Sequence, residues 1–239
     1  MNQQKALALL KSGKNVFLTG AAGAGKTHVL NLYIGYLKER KVPVAVTAST
    51  GIAATHMNGM TIHAWSGIGI KDTITSGDLR NMQTKKYLIK NLKKAQVLII
   101  DEISMLHKKQ FEMVDKVLCS FKEDNTAFGG VQLVLSGDFF QLPPIGNQGE
   151  LNKDKFAFMS QAWREANLAV CYITEQYRQE DNSLNDILNE IRRAQVSLHS
   201  IKKLEDAKIQ LLNPQKQPTK MFTHNFDVEK INKRHLHEI

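Results

Sequence analysis

The residues with the clearest chemistry run from Gly20 to Thr27, Gly-Ala-Ala-Gly-Ala-Gly-Lys-Thr, and satisfy the pattern GxxxxGKT. Glycines at these spacings let successive backbone N–H groups turn toward one point. The start of a following helix adds its positive end there, so phosphate oxygens are held largely by main chain. In such a loop Lys26 reaches the β- and γ-phosphates of a nucleotide and the Thr27 hydroxyl sits on Mg²⁺. Nucleotide contacts are expected from Gly20, Ala22, Gly23, Ala24, Gly25, Lys26, Thr27 and His28. An acidic pair, Asp101-Glu102, follows the apolar run Val97-Leu-Ile-Ile100. Such a run is a buried strand, so both acids emerge at its carboxyl end, where open α/β sheets bind ligands. Asp101 is then placed to hold the Mg²⁺ shell and Glu102 to polarise an attacking water. Alone, these elements read as a glycine-rich turn with a solvated lysine and a solvated acidic pair. Together they point to nucleotide hydrolysis without giving its purpose.

The elements that must position these residues are legible as alternating segments. A helix over Gln3 to Ser12 is closed by Gly13, and a strand over Asn15 to Thr19 runs directly into the glycine-rich turn. In the next helix Val29, Tyr33 and Leu37 recur at fourfold spacing beside Leu30 and Ile34, a core-facing stripe. Strands are expected at Pro43 to Thr47, Val97 to Ile100 and Val131 to Leu135, with a helix between the last two carrying Phe111, Val114, Leu118 and Phe121. Short β-branched strands alternating with helices imply a parallel sheet covered on both faces, an α/β fold, and the phosphate loop between a strand and a helix makes it one of the P-loop NTPase class. The segment from about Ile68 to Ala95 breaks the rhythm and is expected to form an inserted subdomain or a surface hairpin of helices. A first domain is therefore expected over 1–168. A strand around Ala169 to Thr174, a helix from Ser183 to Ala194, a surface connection over Ala207 to Thr219 and a strand around Lys220 to Thr223 look like the beginning of a second unit, 169–239.

Composition narrows the function class. The 239 residues correspond to about one and a half domains at roughly 150 residues each. Lys and Arg number 32 against 23 acids, a formal charge of +9, which favours an acidic polymer as partner. With 42% apolar residues the chain can bury a core, which excludes a disordered class. Cys119 and Cys171 are too far apart for a CxxC pair, so a disulfide framework or thiolate zinc site is not expected, and both read as reduced, mostly buried thiols. No run near the amino terminus is long enough for a signal peptide or membrane span.

Further motifs lie between and after the two nucleotide elements. Thr47-Ala-Ser-Thr-Gly-Ile-Ala-Ala54, Thr61-Ile-His-Ala-Trp-Ser-Gly-Ile-Gly69, Asp101-Glu-Ile-Ser-Met-Leu106, Phe128-Gly-Gly130 and Ser136-Gly-Asp-Phe-Phe-Gln-Leu-Pro-Pro-Ile145 occur in that order. In this ordered set the chain resembles the PIF-type DNA helicases, superfamily 1 relatives of the RecD-like enzymes. Gln176-Tyr-Arg178 and the segment from Thr223 to Asn232 are similar to that family's pattern at the start of its second RecA-like domain. The resemblance implies an ATP- and Mg²⁺-dependent motor moving 5′ to 3′ on single-stranded DNA, acting on forked or structured DNA and working as a monomer without a membrane. By the same resemblance, Gln141 senses the γ-phosphate, Arg178 supplies charge across the cleft, and Gln3 reads the adenine edge. Thr47, Thr50, Gly51, His63 and Pro143 are expected on the DNA strand, while Trp65 divides between DNA contact and core. Pro143 and Pro144 stiffen the loop beneath Gln141. The family's later motifs do not occur before Ile239, so the chain is expected to be the amino-terminal part of a longer helicase, with little unwinding on its own. Its compartment is expected to be the cytoplasm in a bacterium, or the nucleus or mitochondrion in a eukaryote.

Charge is concentrated in one place. Arg80, Lys85, Lys86, Lys90, Lys93 and Lys94 follow one another without an intervening acid. A solvated helical face is the plain reading, and a duplex or backbone contact is the one the resemblance implies. Two other functions fit part of the pattern. A different P-loop ATPase, a loader or switch, explains the loop and the acidic pair but not Gln-Leu-Pro-Pro. A non-catalytic nucleic-acid-binding module leaves the intact Lys26, Asp101 and Glu102 unexplained.

Overall fold

The computed structural model describes residues 1–146, 149–174, 182–209, 222 and 225–236. Two units divide the chain, Met1–Asp181 and Asn182–Ile239. In chain order the first comprises α1 (Gln3–Lys11), β1 (Val16–Gly20), α2 (Lys26–Glu39), β2 (Val44–Ala48), α3 (Gly51–His56), β3 (Met60–Thr61) and α4 (Ile62–Ser66). It continues through α5 (Ser76–Met82), α6 (Lys86–Lys94), β4 (Val97–Asp101), α7 (Lys108–Lys122), β5 (Gln132–Ser136), α8 (Asn152–Lys155), α9 (Gln161–Glu165) and β6 (Ala169–Ile173).

The strands lie in the order β3-β2-β4-β5-β1-β6, every pairing parallel. Because side chains alternate across a strand, the sheet has two apolar faces. Leu98, Ile100, Leu133 and Leu135 pack with Phe111, Val114, Leu118 and Phe121 of α7. Val97, Ile99, Val16 and Leu18 pack with Leu10 of α1 and with Val29, Leu30, Tyr33, Ile34 and Leu37 of α2, the stripe expected from the spacing. A parallel sheet covered in this way places all strand carboxyl ends at one edge. The register aligns Ala48 with Asp101, Ile100 with Leu135 and Leu18 with Ser136, so the loops after β1, β2, β4 and β5 meet there.

One expectation is corrected. The strand at Ala169–Ile173 does not open a second unit: it pairs with β1 along its whole length, Val16 opposite Ala169 through Gly20 opposite Ile173, and its Cys171 and Ile173 belong to the first core. The boundary at 168 therefore moves to Asp181. Of the two forms expected for the segment from Ile68 to Ala95, the structure shows the pair of helices, α5 and α6, with Ile68, Met82, Leu88 and Leu92 buried in the same core as the sheet. Its six cations all lie on the exposed face. Cys171 is buried and Cys119 half-buried, both as free thiols.

The second unit contains α10 (Asn182–Arg192), α11 (Leu198–Ile209) and α12 (Asn225–Leu236). Within it the Ser197 hydroxyl accepts from the Ser200 N–H at 3.2 Å, and Lys203 Nζ donates to the Ser183 hydroxyl at 2.7 Å, tying α11 to α10. The expected connection from Ala207 is helical as far as Ile209. Its remainder, the Gln176-Tyr-Arg178 motif and, apart from Phe222, the strand expected at Lys220–Thr223 lie outside the described residues. Among the described residues, no helix is long and apolar enough to cross a membrane.

Candidate functional site

The loop between β1 and α2 is built by glycines in conformations that other residues avoid. Gly23 and Gly25 have φ of 78° and 82°, the left-handed region. Gly25 is the residue before α2, and no side chain caps that helix start. Its first N–H groups therefore face the loop, a main-chain anion site at the positive end of a 14-residue helix. Lys26 Nζ donates to the Gly20 and Ala21 carbonyls at 2.9 and 3.1 Å, which holds the ammonium over the loop. Ala24 is buried, whereas Ala22, Thr27 and His28 are exposed. From α1, the Gln3 side chain lies against Gly25, and its Nε2 donates to the Ala24 carbonyl at 3.2 Å.

Asp101 ends β4 and is buried. Desolvation pushes its carboxyl above the usual range, partly offset by the Glu102 N–H, which donates to Oδ1 at 3.0 Å, and by the Lys26 charge. Glu102 turns the chain with φ 53°, a left-handed conformation rare for a residue with a side chain. Burial raises its carboxyl first, the neighbouring Asp101 and Asp138 raise it further, and Lys26 opposes them. Beyond β5, Asp138 is buried and its carboxylate organises the next turn. It accepts from the Phe140 N–H at 3.2 Å and from the Gln141 amide at 3.1 Å, while the Asp138 carbonyl accepts from the Gln141 N–H at 2.9 Å. Gln141 and Pro143 are exposed on this turn and Pro144 is buried beneath it.

The loop after β2 forms the adjoining wall. The Thr50 hydroxyl caps α3 by accepting from the Ala53 N–H at 3.3 Å, and Gly51 follows with open space where a side chain would stand. His63 is half-buried on α4. Trp65 is core, 5% exposed. Thr47 is corrected from the expected set: it is fully buried, and its hydroxyl donates to the Ile99 carbonyl at 2.6 Å, so it fastens β2 to β4 and presents nothing to a strand of DNA.

One cleft of about 930 Å³ joins these walls, lined by Gly23, Gly25, Lys26, Thr27, Asp101, Glu102, Gln141 and Thr50. The structure thus brings together the phosphate loop, the acidic pair, the amide and one expected DNA contact. His63 does not line it, and Arg178 lies outside the described residues. Sequence reasoning missed two contributors. Asp138 sat inside a recognised motif, but only the fold reveals that it holds Gln141. Ser49 carries no signal of its own beside Thr50, yet its hydroxyl donates to the Glu102 carbonyl.

The profile of the PIF1-like helicase family matches residues 2–213. The chain is 54% identical over 99% of its length to the ATP-dependent DNA helicase Pif1 of Psychrobacter sp. (strain PRwf-1), and 39% identical over 86% of its length to the ATP-dependent DNA helicase RRM3 of Saccharomyces cerevisiae. It spans 37% and 29% of the length of these two relatives. Among solved structures, the Pif1 helicase of Candida albicans superposes with a TM-score of 0.87 at 32% identity, covering 99% of this chain and 54% of that one. The Bacteroides Pif1 helicase in complex with ADP-AlF3 and single-stranded DNA gives 0.84 at 32% identity, covering 99% and 56%.

Proposed function

The chain belongs to the PIF1-like helicase family, and on that premise we propose that it forms the nucleotide-hydrolysing part of an ATP-dependent DNA helicase that moves 5′ to 3′ along single-stranded DNA. The observation that carries this reading is the single cleft in which the phosphate loop, Asp101, Glu102, Gln141 and Thr50 meet. A nucleotide-binding fold alone needs only the first three.

The residues present suit ATP and Mg²⁺. The start of α2 has no side-chain cap to compete with a phosphate. The buried Asp101 carboxylate is a hard oxygen donor whose ionised form is disfavoured by desolvation and gains from a cation. Thr27 and Asp101 would hold Mg²⁺, which supplies charge neutralisation at the phosphates. Lys26 binds phosphate oxygens, and Gln3 orients the base from its seat against Gly25. Glu102 accepts the proton of the attacking water, a role that its raised basicity favours. Gln141, held by Asp138, can donate to a phosphate oxygen and accept from water with one amide. Thr50, Gly51 and His63 contact the DNA backbone without reading sequence, Pro143 supports the loop that links them to Gln141, and Arg178 supplies transition-state charge. The unit from Asn182 onward begins the second RecA-like domain.

The relatives are named as ATP-dependent DNA helicases, and one solved relative is in complex with ADP-AlF3 and single-stranded DNA, which supports the reading. Duplexes with a 5′ or a 3′ single-stranded tail, given to the full-length gene product with ATP and Mg²⁺, test it. Unwinding from the 5′ tail is expected. Unwinding only from the 3′ tail refutes the polarity, and unwinding from neither refutes the helicase reading.

A further inference from the structure

Between β2 and α3 stands Ser49, almost fully buried. Its N–H donates to the Asp101 carbonyl at 3.1 Å, which continues the β2–β4 ladder by one rung beyond the Ala48–Asp101 pair. The next rung has no ordinary partner, because Glu102 has turned into the left-handed conformation. The Ser49 hydroxyl takes its place and donates to the Glu102 carbonyl at 2.7 Å. The same Glu102 carbonyl accepts from the Met105 N–H at 3.1 Å, and the Glu102 N–H is held by Asp101. Behind this turn Gly137 packs so closely that a Cβ there would stand 3.0 Å from Ile103 N and 3.3 Å from Ser104 N.

The consequence is mechanical. The turn that aims Glu102 is clamped on one side by the loop carrying Asp138 and Gln141, and on the other by Ser49. Ser49 is bonded covalently to Thr50, the cap of α3. Any displacement of Thr50 and α3 therefore reaches the backbone of Glu102 through one residue and one hydrogen bond. A left-handed turn at a non-glycine residue persists only when its surroundings hold it, so the position of Glu102 is sensitive to that bond.

We infer that Ser49 is a positioning residue that couples the DNA-contacting helix α3 to the water-activating Glu102, so that DNA held at Thr50 and Gly51 sets Glu102 for hydrolysis. The inference rests on the helicase reading of the cleft. Ser49 touches neither nucleotide nor DNA; it acts through the Glu102 carbonyl.

The test uses Ser49→Ala and Ser49→Thr in the full-length gene product, with ATP turnover measured at saturating oligo-dT. Loss of one such hydrogen bond is expected to lower DNA-stimulated kcat about tenfold in Ser49→Ala. KM for ATP and the Kd for fluorescein-labelled oligo-dT are expected to stay within about twofold, and Ser49→Thr, which keeps the hydroxyl, is expected to stay within about threefold of the unaltered protein. Stimulation of Ser49→Ala equal to that of the unaltered protein overturns the inference. So does a loss of oligo-dT affinity as large as the loss of kcat, which would make Ser49 a DNA contact, or a Ser49→Thr variant as impaired as Ser49→Ala. Absence of stimulation in the unaltered protein would instead overturn the helicase reading beneath it.

Discussion

Replacing Gly25 by alanine perturbs two features at once, and their sizes can be separated. Gly25 has φ 82° and ψ 24°, and an L-residue in that region costs about 1–2 kcal/mol. The new Cβ would also fall on Gln3 Nε2 and lie 3.3 Å from Gln3 Cδ. That contact is with the free end of a side chain, so Gln3 moves aside at little steric cost, but its hydrogen bond to the Ala24 carbonyl is lost, worth about 1 kcal/mol. The total is about 2–3 kcal/mol, or a fall in Tm of about 5–10 °C for a unit of this size. Gln3→Ala alone should cost only the hydrogen bond. Because Gly25→Ala already displaces Gln3, the double variant should be no less stable than Gly25→Ala itself, a deviation from additivity of about 1 kcal/mol. Urea unfolding followed by tryptophan fluorescence measures this cycle in the first unit, since the chain's 2 tryptophans, Trp65 and Trp163, both lie there. A mant-ADP titration of each variant adds the functional reading, with affinity reduced in all three. Fully additive stabilities would refute the contact between Gln3 and the loop, and an unchanged Tm for Gly25→Ala would refute the left-handed conformation.

Three further outcomes are expected. Asp101→Asn should stabilise the nucleotide-free protein at neutral pH while abolishing turnover. Burial raises the folded carboxyl, so the folded state binds the proton more tightly, and stability falls as pH rises from the ordinary carboxylate range through the raised value. Urea midpoints across that range should show the slope in the unaltered protein and not in the variant; a less stable variant at neutral pH would count against it. Glu102→Gln should lower kcat about 10²–10⁴-fold with nucleotide affinity retained. In the unaltered protein, turnover should be lost as pH falls through a value above the ordinary glutamate range, because burial and Asp101 raise this carboxyl; an acid limb at the ordinary value would contradict that. Gly137→Ala forces a Cβ to 3.0 Å from Ile103 N and Cγ2, at a cost of about 1–3 kcal/mol, and should reduce kcat more than nucleotide affinity; equal reductions would show that the turn carrying Glu102 had not moved.

Local patterns made much of this legible in advance. The phosphate loop is a contiguous motif between a strand and a helix, and Asp101 and Glu102 follow an apolar run whose end must face the ligand edge. The stripe on α2 is one face of a single helix. What escaped depends on contacts between distant segments. Thr47 reads as a hydroxyl near a strand end, but Val44 and Val46 on one face and Ala45 on the other are all apolar, so no polar alternation shows that the Thr47 side chain points inward. The strand at Ala169–Ile173 follows a change of rhythm, and nothing local reveals that its partner is β1. Asp138 and Ser49 acquire their roles only when β2, β4 and β5 align their carboxyl ends. The basic run lies on an exposed helical face, while the apolar side of those helices joins the main core.

The most direct test of the central claim, that this cleft hydrolyses ATP in response to DNA, is the steady-state ATPase rate of the full-length gene product with and without single-stranded DNA, alongside Lys26→Ala. The account predicts a rate raised by DNA and abolished by Lys26→Ala. A rate indifferent to DNA, or one that survives the loss of Lys26, would contradict it.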